Sequence, residues 1–399
     1  MSINKIVDFL SHDIPIFVGD FGNNKLKVAC DPQPKNRANQ YASNCRIIDH
    51  YIYQVTQSRW IDEYNKMTQH NRDAEYSFVE YEGNYYIIGI RLNSPGLTDS
   101  RKTGDQKLTK DYMYPLLASS LMRMYDGLPP KRIAFAFGHP PMSSSYSDTV
   151  SDNLIGTLKF KTPTTKTIRV NVVSTYGFTE IMGSVNRVAL RIDGSGSRLA
   201  SHPIKKNNNT IVIDLGGGSF DIVGLGPGGH PNGLTNTRFI GINSAIESFA
   251  DLSRSKFKKQ LEAAWSKSGF SEEQIIQCFR SDDKSIAIGP HFYDASDIFE
   301  IAINDLIMSM NMAFDQMLGN DGLSAYTYAM VTGGGGDILY STICEKLLLF
   351  FATVTVNGER IYSNNVFLAG EPNSVILSNA LGTLDTFLLV KAGIKKNKI

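Results

Sequence analysis

The chain has 399 residues, enough for two domains or lobes, each with its own core. Hydrophobic residues make up 42% and charged residues 20%, the balance of an ordinary soluble globular protein. A formal net charge of +1 supplies no global field for nucleic acid or an anionic membrane, so direct binding to either is not expected.

The N-terminal arm carries Lys5, Asp8 and Asp13 inside a short apolar pattern, so no secretory signal is expected there. Ile3, Ile6, Val7 and Leu10 fall at helical spacing, as in a docking arm or, as the lesser alternative, an interfacial helix. A strand is expected over Ile14 to Asp20, a turn over Phe21–Gly22–Asn23–Asn24, and a second strand over Lys25 to Cys30. Strands at Phe78–Tyr81 and Tyr85–Ile90 flank a Glu82–Gly83–Asn84 turn. A helix follows over Asp111 to Tyr125, then a strand over Arg132 to Phe137. Leu158–Lys161 and Ile168–Val173 precede a helix over Thr179 to Leu190. The Gly, Ser, Lys and Asn of 193–209 mark a loop or boundary.

The same grammar then restarts. Thr210 to Leu215 is an apolar strand, Gly216–Gly217–Gly218–Ser219 a tight turn, and Phe220 to Leu225 a second strand. A Gly/Pro loop (Gly226 to Gly233) leads to helices over Asn243–Lys267 and Asp294–Leu318. A strand over Tyr326–Thr332, the run Gly333–Gly334–Gly335–Gly336, a helix from Asp337 and a last helix over Ser378–Ala392 complete the series. The hairpin opening with Asp20 thus recurs with Asp214, as in an internal duplication of two α/β lobes facing each other across a cleft. The longest apolar run, Leu347 to Val356, is about half the length a bilayer requires. Cys30, Cys45, Cys278 and Cys344 are scattered without metal-ligand spacing and read as reduced thiols of a cytoplasmic protein.

Three glycine-rich turns each follow an apolar strand: Asp20–Phe–Gly22–Asn–Asn–Lys25–Leu–Lys27, Asp214–Leu–Gly216–Gly217–Gly218–Ser219–Phe–Asp221, and Thr332–Gly333–Gly334–Gly335–Gly336–Asp337. Successive N–H groups in such turns converge on an anion, and glycine lets the backbone approach phosphate oxygens. An aspartate at a strand end suits hydrated Mg²⁺, which keeps several waters and accepts one or two carboxylates. A helix opening after the third turn offers its own N–H groups to phosphate or ribose. No GxxxxGK(S/T) is present, and no GxGxxG opens a helix after a strand.

The three turns resemble the first phosphate, second phosphate and adenosine motifs of the actin, heat-shock-chaperone and sugar-kinase superfamily. Other segments are similar to bacterial and archaeal actin-like proteins, above all the plasmid-segregation ParM group. These are Phe137–Gly138–His139–Pro140, Gly241–Ile242–Asn243 and Ser378–Asn379–Ala380–Leu381–Gly382. The resemblance implies an α/β actin-like ATPase fold of two RNase H-like lobes flanking a nucleotide cleft. Lobe I would span 1–192, completed by 372–399, and lobe II 210–371. It implies an ATP hydrolase that binds Mg²⁺ and ATP, or GTP, and polymerises with itself, with a DNA-binding adaptor protein as partner and plasmid segregation as role. A membrane-associated or phage cytoskeletal actin homologue is the alternative. A small-molecule kinase and a chaperone-type ATPase are lesser ones, the latter expected to carry a substrate-binding domain after the last nucleotide-site helix.

Carried over by residue, Asp20 and Asp214 would hold Mg²⁺ through water, with Gly22, Asn23, Asn24 and Lys27 on the β-phosphate side. Gly216, Gly217, Gly218 and Ser219 would face the γ-phosphate. Gly241 would open the nucleotide-side helix, and Gly333, Gly334, Gly335 and Asp337 would sit against the nucleoside. The family places a water-orienting Glu or Gln at the start of the connecting helix. Here Glu180 is chemically capable, although the tightest alignment puts Tyr176 there, and a first-turn carboxylate is also favoured by the helix dipole alone. Catalytic roles therefore fall to Glu180 and Asp214.

Overall fold

The computed structural model describes residues 14–22, 25–31, 45–68, 72–92, 98–100, 102, 109–139, 150–189, 208–264, 269–319, 325–348, 354–356, 359–361, 365–370 and 375–396. The N-terminal arm, Asn23, Asn24 and almost all of the 193–209 loop lie outside them. The chain divides into two compact units, residues 1–199 with 377–399, and residues 200–376.

The first unit is built on a nine-stranded sheet. Its strands are β1 (Ile16–Phe21), β2 (Lys25–Cys30), β3 (Cys45–Asp49), β4 (Ile52–Val55), β5 (Phe78–Tyr81), β6 (Asn84–Ile88), β7 (Arg132–His139), β8 (Gly156–Lys161) and β9 (Ile168–Thr179), in the order β3-β2-β1-β7-β9-β8-β5-β6-β4. β1 pairs antiparallel with β2 and parallel with β7, and β7 runs parallel to β9. The central strands are apolar throughout because both faces are covered. Phe17, Phe135 and Phe137 pack with Leu116, Leu117 and Leu121 of one helix. The alternate residues Ile16, Val18, Ala134 and Ala136 pack with Ala380, Leu384 and Phe387 of another. The helices of this unit are α1 (Gln57–Thr68), α2 (Lys110–Met124), α3 (Glu180–Ala189) and the C-terminal helix Ser378–Lys396.

α3 and the C-terminal helix cross so closely that only hydrogen fits at the crossing. A methyl at Gly382 would strike the carbonyl of Gly183, and one at Gly183 the carbonyl of Asn379. Arg187 pairs with the buried Asp385 at 2.6 Å across the same contact. Burial nevertheless pushes the Asp385 carboxyl above its ordinary value.

The second unit centres on a five-stranded sheet, β12-β11-β10-β15-β18. Here β10 is Thr210–Leu215, β11 Phe220–Leu225 and β12 Pro231–Arg238. The hairpin β13 (Ser285–Ile288) and β14 (His291–Asp294) stands apart, followed by β15 (Tyr328–Thr332). A second small hairpin is β16 (Val354–Val356) with β17 (Glu359–Ile361), before β18 (Val366–Leu368). Helices α4 (Ile242–Lys256), α5 (Lys258–Ala263), α6 (Glu272–Arg280), α7 (Ser296–Leu318), α8 (Gly334–Ile338) and α9 (Tyr340–Lys346) complete it. The duplication is explicit in topology. The run β3-β2-β1-β7-β9 is repeated by β12-β11-β10-β15-β18, hairpin first and parallel strands after.

Several expectations are corrected. The Gly/Pro loop ends early, because Pro231–Arg238 is a third strand whose residues are exposed or half-buried along a sheet edge. The helix expected over 243–267 breaks at Phe257, which buries its ring. β9 runs on to Thr179 because it keeps pairing with β7 as far as His139. The helix placed from Asp337 begins inside the glycines, at Gly334.

Candidate functional site

In the first unit the turn after β1 is set by cross-strand pairing. Asp20 stands opposite Lys27, and the Lys27 ammonium lies 2.8 Å from Asp20 Oδ2. Asp20 is fully buried, and among the described residues its Oδ1 has no hydrogen-bond partner. A buried carboxylate oxygen left this way is costly unless something else completes it. Lys27, expected on the phosphate side, is thus held on Asp20.

Asn379 ties this carboxylate to α3. Its side-chain Oδ1 accepts the Ser184 N–H at 3.2 Å and hydroxyl at 2.6 Å, while its Nδ2 lies 3.5 Å from Asp20 Oδ2. Glu180 opens α3. Its side chain lies against Gly138 near the end of β7, where a methyl would approach Glu180 Cγ to 2.8 Å. Glu180 and Asp20 therefore both sit at the carboxyl ends of the parallel strands β1, β7 and β9, the ends at which open α/β sheets bind ligands. Tyr176, the other candidate, is 8% exposed and packs edge-on to Phe387 with ring centroids 5.3 Å apart. It belongs to the core under the C-terminal helix.

In the second unit the turns after β10 and β15 are brought together, since these strands are parallel with Asp214 opposite Thr332. Gly216 N–H closes its turn on the Ser219 carbonyl at 2.8 Å. The turn is then held from behind. The N–H groups of Ile242 and Asn243, at the start of α4, donate to the carbonyls of Gly216 (3.1 Å) and Gly217 (2.9 Å). Gly241 permits this approach, because a methyl there would collide with the Gly217 carbonyl and lie 2.7 Å from that of Gly216.

Gly333 has φ 82° and ψ 160°, a conformation essentially reserved for glycine. A methyl on it would collide with the Leu215 carbonyl and lie 2.5 Å from Asp214 Oδ1. One on Gly335 would reach 2.8 Å from Leu215 Cγ, and one on Gly334 3.3 Å from Ile376. Asp214 also stands directly opposite Asp221, both 8% exposed, with the Thr237 hydroxyl donating to Asp221. Like charges in direct register oppose each other, and a cation at this edge would relieve that. Asp337 pairs with Arg280, which fastens α8 to α6. Gly218 lies in the same half-buried turn as Gly216 and Gly217.

His50 went unseen in the sequence. It is fully buried, with Nδ1 2.5 Å from the Gly22 carbonyl oxygen and Nε2 2.7 Å from the Tyr112 hydroxyl. No spacing marks it, because it is a lone histidine just past an edge strand. Burial pushes the Cys30 and Cys344 thiols up to about 12 and Cys278 up to about 11, so they stay protonated and unreactive. Among the described residues no cluster of His, Cys, Asp and Glu is set to hold a metal by itself, and no helix is long and apolar enough to cross a membrane.

No protein-family sequence profile matches the chain, and no curated protein sequence does either. Solved structures do. The archaeal actin homolog Ta0583 superposes with a TM-score of 0.67 at 14% identity, covering 94% of this chain and all of that one. The actin-like protein Alp7A gives 0.65 at 16% identity, over 96% and 99% of the two chains. The Bacillus thuringiensis ParM with ATP gives 0.62 at 13% identity, over 96% of this chain and 100% of that one. The chain therefore has the actin-like α/β fold, as its three turns lead one to expect.

Proposed function

We propose that the protein is an actin-like ATPase that binds Mg–ATP and assembles with copies of itself into nucleotide-regulated filaments. The observation that carries this is the repeated strand order in which each repeat ends its first strand on an Asp–x–Gly turn, Asp20–Phe21–Gly22 and Asp214–Leu215–Gly216. A fold shared with a ParM bearing ATP supports the choice of ligand.

The residues fit a hydrated Mg²⁺. Asp20 Oδ1 is buried without a partner among the described residues, and Asp214 faces a second carboxylate. Mg²⁺, when bound, neutralises triphosphate charge and keeps waters that carboxylates can accept. The chain's own work is positioning and electrostatics. The amides of Gly22 and of Gly217 to Ser219 would orient phosphate oxygens, with Gly216 closing the turn behind them, and Gly333, Gly334 and Gly335 would leave room for the nucleoside. Asp337, held by Arg280, would keep α8 in place. Glu180 would align the attacking water and accept its proton. Hydrolysis would then act as a timer on assembly.

Head-to-tail contacts that do not close on themselves give filaments, and the reading extends to DNA segregation through a DNA-binding adaptor. The near-zero net charge is consistent with DNA being reached indirectly. With Mg–ATP, light scattering should rise at several micromolar protein and electron microscopy should show filaments, both reversed as nucleotide is hydrolysed. Flat scattering and empty grids under those conditions would remove assembly from the proposal.

A further inference from the structure

We propose that His50 is a positioning residue for the first phosphate turn, doing with its imidazole what two backbone amides do for the second turn. The inference rests on the reading of these turns as phosphate-binding, and it comes from comparing the two repeats. In each, the third strand of the sheet delivers the group that holds the turn. β12 ends at Arg238, and the chain returns through Gly241 so that Ile242 N–H reaches the Gly216 carbonyl at 3.1 Å. β3 ends at Asp49, and the next residue, His50, reaches the Gly22 carbonyl at 2.5 Å. Gly22 and Gly216 hold the same place, two residues after the strand-end aspartate.

The chemistry fixes the tautomer. A carbonyl only accepts, so Nδ1 carries a proton, and in the neutral ring Nε2 is left as an acceptor. Nε2 takes the Tyr112 hydroxyl proton at 2.7 Å, and the Tyr112 oxygen in turn accepts the Lys102 N–H at 3.0 Å. Holding the Gly22 carbonyl restrains Gly22 itself, and with it the direction in which the chain leaves β1. Tyr112 lies on α2, so the turn's geometry is anchored to the first unit's helical layer.

The test compares His50→Ala, His50→Asn and Tyr112→Phe with the unaltered full-length chain in titrations with Mg–ATP, alongside thermal unfolding. Asparagine places an N–H donor where Nδ1 stands but cannot reach Tyr112. His50→Ala should weaken ATP binding about 10- to 30-fold, and Tyr112→Phe about 3-fold. His50→Asn should return to within about 3-fold of the unaltered chain, although both His50 variants lose the same packing and unfold at similarly lowered temperatures. Equal weakening by alanine and asparagine, or no weakening by either, overturns the positioning role. Should His50→Ala not fold, His50→Asn and Tyr112→Phe decide the matter by the same figures. An unaltered chain that fails to bind ATP would instead refute the nucleotide reading.

Discussion

Asp214→Asn should abolish most ATP turnover without weakening the fold. Asp214 stands in register with Asp221 on the neighbouring strand, and both are nearly buried, so the native pair sets two carboxylates against each other. Neutralising one removes that repulsion and keeps the side chain's shape. Unfolding in urea should show equal or slightly greater stability. The chemical step, by contrast, loses a carboxylate that the proposed site would turn toward a hydrated Mg²⁺. Phosphate release should fall on the order of 1,000-fold, roughly 4 kcal/mol in the barrier. A stable variant with unchanged turnover would show that Asp214 belongs to the sheet alone.

Gly333→Ala should be damaging on both counts. The position needs a backbone conformation that costs other residues about 1–3 kcal/mol, and the added methyl has nowhere to go. It would press on the Leu215 carbonyl and on the Asp214 carboxylate, moving the second and third turns apart. A stability loss of about 3 kcal/mol is expected, with ATP affinity lowered about 100-fold. Gly83 offers a control, since it also has positive φ, at 77°, but open space around its Cα. Gly83→Ala should lose stability through backbone strain yet bind nucleotide normally. Matching affinities for the two variants would show that the Gly333 packing does not matter to the site.

What the sequence made legible was the part where local chemistry and burial agree. Thr210–Leu215 and Phe220–Leu225 are apolar, buried strands joined by a glycine-rich turn, and both were placed at their observed bounds. Polar edges were not legible. Pro231–Arg238 joins the sheet through its backbone and carries no alternating pattern, while Cys45–Asp49 exposes Ile47. α1 buries only Trp60 and Glu63, too little for a clear helical stripe. Within the site, the Asp20–Lys27 pair follows from the β1–β2 register, whereas the sequence alone placed Lys27 on the phosphate side. The roles of Asn379 and His50 depend on helix and strand returning from distant parts of the chain, which no local spacing encodes.

Titration of the purified full-length chain with ATP, with and without Mg²⁺, bears most directly on whether this is a nucleotide-driven actin-like protein. Saturable one-to-one binding should appear at micromolar ATP, weaken at least about 10-fold when Mg²⁺ is chelated, and lose its Mg²⁺ dependence in Asp20→Asn. Heat-silent titrations up to about 1 mM nucleotide, with a fully folded protein in the cell, would contradict it.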